Sequence, residues 1–128
     1  MDSITQQWIE RAKYDLDTAK GMLTIRKYLY AVFMCQQALE KILKAILSHQ
    51  KRAIYPIHNL ARLAQEAKIF DECENKEPGL LAELTPFCIK ARYGEYKKSL
   101  SELCNRKTAE DYYQKTRKLF LWLIQQIN

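Results

Sequence analysis

Residues 28–49 read YLYAVFMCQQALEKILKAILSH, and this stretch decides the fold. Val32, Cys35, Leu39, Ile42 and Ile46 recur at intervals of three and four, with Phe33 and Leu43 widening the stripe. An α-helix needs that period to keep apolar groups on one side. The spacing predicts a helix from about Tyr28 to His49, with Gln37, Lys41, Lys44 and Ser48 on the opposite, solvated side. Glu40 and Lys44 stand four apart in the order that favours an ion pair. Pro56 forbids uninterrupted continuation.

Upstream, Trp8, Ala12, Leu16, Ala19 and Leu23 form the stripe of a first helix that ends around residues 24–27. Ser3 with Gln6 fits a capping box at its start. Asp15 lies on the edge of that stripe and needs a partner, because burying an unpaired carboxylate is costly. Downstream, Ile57, Leu60, Leu63 and Ala64 predict a short helix between Pro56 and Ala67, with His58 just inside it. Asp71–Glu77 reads as an acidic loop, helical at most in part. Pro78 suits the first turn of a helix carrying Leu81, Leu84, Cys88 and Ala91, which Pro86 kinks or splits and Gly94 stops. After a polar segment, Thr108 is the expected cap of a last helix striped by Ala109, Tyr112, Thr116, Leu119, Leu123 and Ile127. The sum is one all-α domain over residues 1–128, an up-and-down antiparallel bundle of four main helices plus a short additional one.

Composition agrees with that class. Three glycines and three prolines in 128 residues are too few for strands joined by tight turns. No apolar run approaches the length of a membrane span, and no leader pattern is evident, so a cytoplasmic protein that does not engage membranes is expected. Cys35, Cys73, Cys88 and Cys104 are widely spaced without a CxxC pair, and neither histidine is near them. They read as reduced thiols, with no metal site and no cofactor expected. The net charge is +6. Residues 71–83 are acidic, whereas residues 88–118 hold nine basic and four acidic side chains. Positive charge in that second segment attracts phosphates.

Four segments, in order, resemble the HEPN (higher eukaryote and prokaryote nucleotide-binding) domain family. They are Ala12-x-x-Asp15-Leu16-x-x-Ala19; Gln36-Gln37-Ala38-Leu39-Glu40-Lys41-Ile42-Leu43-Lys44-Ala45; Pro56-Ile57-His58-Asn59-Leu60; and Ala91-Arg92-Tyr93. The likeness spans essentially the whole chain. It implies a helical bundle that commonly forms a homodimer and often works with a separate minimal nucleotidyltransferase. Many members are ribonucleases whose Arg-x(4–6)-His motif meets at the dimer interface. There the arginine stabilises phosphate charge, and the histidine moves protons as the 2′-hydroxyl attacks.

This chain departs from the family at that motif. Lys97, Lys98 and Ser99 stand where the histidine belongs, and the only histidines, His49 and His58, lie upstream. Lysine is protonated at neutral pH and is a poor base. The expectation is therefore a nucleotide- or RNA-phosphate-binding or regulatory module of a toxin–antitoxin-like pair, not itself catalytic. Arg92 is the one match to the ribonuclease motif. Arg92, Lys97, Lys98, Lys41 and Lys44 are the candidate phosphate ligands, and Tyr93 and Tyr96 are candidates to stack on a base. Asp15, Glu40 and His58 are assigned structural polar roles, with Arg92 pairing to Asp15 or Glu40 as the structural alternative. The alternative functions are a metal-independent ribonuclease toxin with a degenerate site, in which His58 replaces the missing histidine, and a purely structural adaptor.

Overall fold

In the computed structural model, residues 1–89 and 104–127 are described. The helices are α1 (Ser3–Thr24), α2 (Tyr28–His49), α3 (Leu60–Glu66), α4 (Phe70–Lys76), α5 (Leu80–Leu84) and α6 (Arg106–Gln125). Arg92, Tyr93, Tyr96, Lys97, Lys98 and the expected stop at Gly94 lie outside the described residues.

The long helices α1, α2 and α6 pack together, and the α1–α2 hairpin has the most extensive contact. α2 is the centre of the bundle. Fifteen of its 22 residues are buried, so the solvated side expected for it is absent. Gln37 and Lys44 are buried, and Lys41 and Ser48 are partly buried. The stripe rule finds the most apolar side of such a helix, but it does not register that neighbours cover the polar side too. α6 closes one flank with Leu119, Phe120 and Leu123, and the short helices close another with Leu60, Leu63, Leu80, Leu81 and Leu84.

Several boundaries differ locally from the sequence reading. Asp2, not Ser3, caps α1: its carboxylate accepts from Thr5 N at 2.7 Å and from Thr5 Oγ1 at 3.0 Å. Asn105, three residues before Thr108, caps α6 by accepting from Thr108 N at 2.9 Å. His58 precedes its helix, and Asn59 is the cap. The acidic stretch is mostly helix α4, with Asp71 and Glu72 in its first turn and Lys76 in its last, the order the helix dipole favours. Pro78 falls outside α5, whose N-cap is Gly79 at φ 78°. A Cβ there would sit 3.3 Å from Glu83 Oε2 as well as adopt a disfavoured φ. The break at Pro86 occurs as expected: α5 ends at Leu84, and residues 87–89 are helical again. Phe87 packs edge-on against Tyr112 of α6 with ring centroids 5.9 Å apart.

Three helices end alike. Arg26, Lys51 and Lys68 adopt φ of 64°, 58° and 61° after α1, α2 and α3. In each case that residue and the next donate back to carbonyls of the last turn: Arg26 to Leu23 and Lys27 to Met22, Lys51 to Ser48 and Arg52 to Leu47, Lys68 to Gln65 and Ile69 to Ala64. These are Schellman ends with a basic residue where glycine is usual. The left-handed conformation costs about 1 kcal/mol, partly offset by placing a cation at the helix C-terminus.

Candidate functional site

Two clusters of polar side chains stand out, and they differ in kind. The first runs along the α1–α2 interface. Lys41 of α2 donates to the Asp15 carboxylate of α1, which leaves Asp15 only 6% exposed and satisfied. One turn on, Lys44 Nζ lies 3.1 Å from Glu40 Oε2 and 5.6 Å above the centroid of the Trp8 ring. The other Glu40 oxygen, Oε1, lies 2.9 Å from His58 Nδ1 and accepts from Gln36 Nε2 at 3.1 Å. A carboxylate is an acceptor only, so His58 Nδ1 carries the hydrogen in that contact. Gln36 Nε2 also donates to the His58 carbonyl at 3.0 Å, and Gln37 Nε2 donates to Gln36 Oε1 at 2.7 Å. Thr5 and Ser48 extend the polar seam with hydroxyls 2.7 Å apart.

Every charge in this ladder has a partner, so its chemistry is structural. Lys44 and Glu40 are 6% and 4% exposed, and each is satisfied within the bundle. Lys41, expected to face phosphate, instead reaches Asp15 across the α1–α2 interface, and Lys44 pairs with Glu40 within α2 while lying over Trp8 of α1. Asp15 and Glu40 find lysines and a histidine as partners. Gln36, fully buried, and Trp8, which carries the Lys44 cation, had been given no polar role from the sequence. The signal for Gln36 was available: an amide pair inside a strongly apolar helix requires partners when buried.

The second cluster lies where the end of α1 meets the start of α6. A cleft of about 890 Å³ is lined, among the described residues, by Arg26, Tyr28, Glu83, Lys107, Tyr112 and others. Arg106 and Lys115 on its wall pair with Glu110 and Asp111 at 2.8 and 3.1 Å. Arg26 and Lys107 have no carboxylate partner among the described residues. Tyr112 OH donates to Glu83 Oε1 at 3.5 Å. Burial, then the Glu83 charge, raises the Tyr112 pKa, and burial raises that of Tyr113, so both phenols remain hydrogen-bond donors at neutral pH. Tyr28 and Arg26 also border an adjoining apolar recess of about 510 Å³ with Met22, Ile25 and Leu29. The arrangement offers cations without a carboxylate partner among the described residues, phenolic donors and apolar surface together. Such a set can hold an anion that carries an aromatic or apolar body.

The cysteines offer no reactive thiol. All four are buried, and burial pushes Cys35 and Cys73 up to about 12. The Thr116 hydroxyl is buried and meets hydrogen-bond geometry with none of the described residues. Among the described residues no group of His, Cys, Asp and Glu has metal-site geometry, and no helix is long and apolar enough to cross a membrane.

Comparison with known proteins places this arrangement in context. TT1696 from Thermus thermophilus superposes with a TM-score of 0.79 at 22% identity, covering 95% of this chain and 97% of that one. ST0689, described as an archaeal HEPN homologue, superposes with a TM-score of 0.77 at 21% identity, covering 97% and 98%. At such identities the likeness shows the fold. No curated protein matches the sequence. The HEPN domain itself matches residues 5–127, nearly the full length. The matched range includes the Asp15–Lys41 pair that joins α1 to α2 and the Glu40–Lys44 pair within α2. This chain belongs to the HEPN domain family.

Proposed function

We propose that this HEPN chain is a homodimeric binding or regulatory module for nucleotide or RNA phosphate. It works with a separate minimal nucleotidyltransferase, as one half of a toxin–antitoxin-like pair, and does not itself cleave RNA. The observation that carries the reading is the cleft at the start of α6, where Arg26 and Lys107 stand without carboxylate partners among the described residues, beside Tyr28 and Tyr112. Unpaired cations beside phenols suit a phosphate attached to a ring. In this reading Arg92, Lys97 and Lys98 add positive charge, and Tyr93 and Tyr96 add stacking surface.

The case against cleavage rests on the histidines. None follows Arg92. His58 holds Glu40 through Nδ1, and His49 is the last residue of α2. No histidine stands at the family's motif position after Arg92 to take the proton of an attacking 2′-hydroxyl. Titration of the protein with radiolabelled ATP, GTP and a short RNA, with and without a nucleotidyltransferase encoded beside it, tests the proposal. Saturable binding supports it, and absence of binding under both conditions overturns it. Release of 2′,3′-cyclic phosphate ends from RNA would establish the ribonuclease alternative instead.

A further inference from the structure

The cleft at the start of α6 and the apolar recess beside it share one wall, and the two compartments offer different chemistry. Arg26 and Tyr28 line both. The wall exists because the chain turns there: Arg26, at φ 64°, follows the end of α1, and α2 starts two residues later at Tyr28. On the cleft side stand cations and hydrogen-bonding groups, among them Lys107, Thr108, Glu83 and Gln114. On the recess side the surface comes from Met22, Ile25, Leu29 and Tyr30. Among the described residues the recess lining holds no carboxylate, amide or aliphatic hydroxyl side chain.

That division sets what a ligand can be recognised by. One base is told from another by the donors and acceptors along its edge. A site that hydrogen-bonds such a group strongly rejects an analogue lacking it, whereas an apolar pocket separates similar ligands only weakly. The recess can cover the face of a ring, and every base has a face. Ile25 and Tyr30 are 58% and 43% exposed, so a covering ring removes their apolar surface from water. Charge decides which end of the ligand goes where. Arg26 and Lys107 have no carboxylate partner among the described residues, so the phosphate takes the cleft and the ring is left to the recess. We infer that the site binds nucleotides irrespective of base, with affinity set by phosphate charge and covered ring area. The inference rests on the nucleotide reading above and assigns that site its specificity.

Calorimetric titration of the full chain with ATP, GTP, CTP, UTP and inorganic triphosphate tests it. Short homopolymers of A, C and U form a second arm, which shows whether the nucleotide arrives free or within RNA. The bases are expected to bind within about fivefold of one another, purines first because the larger ring covers more apolar surface. Each nucleoside triphosphate is expected to bind roughly tenfold tighter than inorganic triphosphate. Preference for one base well beyond that range overturns the inference while nucleotide binding stands. A guanine preference would mean that Arg26 reads the base edge. In the double variant Ile25→Ser, Tyr30→Ser the advantage of ATP over inorganic triphosphate is expected to shrink roughly tenfold. Both side chains are exposed, so the thermal midpoint should hold. An advantage that survives in the folded variant places the ring elsewhere and also overturns the inference. Absence of binding by every ligand in both arms overturns the nucleotide reading itself.

Discussion

The α1–α2 interface and the cleft at the start of α6 are built from the same residue types and do opposite things. Along the interface Lys41, Lys44 and His58 each meet a carboxylate, and both carboxylates are buried. In the cleft Arg26 and Lys107 meet none among the described residues, and solvent reaches them. Charge that has found a buried partner holds a fold together, because removing either member strands the other in a poorly solvating interior. Charge without a partner holds nothing and remains free to bind. Counting lysines and arginines cannot tell the two apart.

The strongest way to break the comparison is at Glu40, which serves Lys44, His58 and Gln36 at once. Glu40→Gln leaves Lys44 buried without its counter-charge and is expected to cost about 3–5 kcal/mol in chemical denaturation. If that variant unfolds at the wild-type midpoint, the ladder is not what stabilises the hairpin. Alkaline pH probes the same buried centre. The folded Cys35 thiol titrates near 12, against 9.0 for the ordinary thiol. Below pH 9 both states keep the proton, and above it the unfolded chain ionises first. Stability therefore falls as pH rises from about 9 towards 12, by about 2 kcal/mol over the first 1.5 units. Denaturation midpoints for the wild type and Cys35→Ala at pH 8 and 10.5 measure it, with the variant losing less.

Smaller effects sharpen the other side. Lys107→Ala is expected to weaken nucleotide or RNA affinity by about 1 kcal/mol, flatten the salt dependence, and leave the thermal midpoint unchanged. The finest distinction lies between two helix ends of identical geometry. Lys51→Gly and Arg26→Gly each relieve a left-handed residue and should stabilise the fold by up to about 1 kcal/mol. Only Arg26→Gly should also lower affinity for the anion. Equal binding by both would remove Arg26 from the cleft's function.

The sequence made the long helices legible because apolar periodicity is a local property. The α2 limits, Tyr28 and His49, are those its spacing predicts, and the break at Pro86 follows from a missing N–H and a rigid ring. Capping was less legible. Asp2 and Asn105 cap helices where Ser3 and Thr108 were expected to, since several neighbouring polar residues can serve and the backbone geometry selects one. The acidic stretch became α4 because Cys73 has a core to enter and the flanking charges suit the helix ends.

By itself, then, the sequence determined that this chain is a helical bundle of the HEPN kind, that Asp15 and Glu40 required partners, and that no histidine follows Arg92. Tertiary structure gave Asp15 its partner Lys41 and added His58 and Gln36 to the Glu40–Lys44 pair that the spacing already offered. It set Lys41 and Lys44 between helices and left Arg26 and Lys107 facing a cleft. The reason is that pairing depends on distances across helices far apart in sequence, so the value of a charge is fixed only when packing determines whether water or a counter-charge surrounds it.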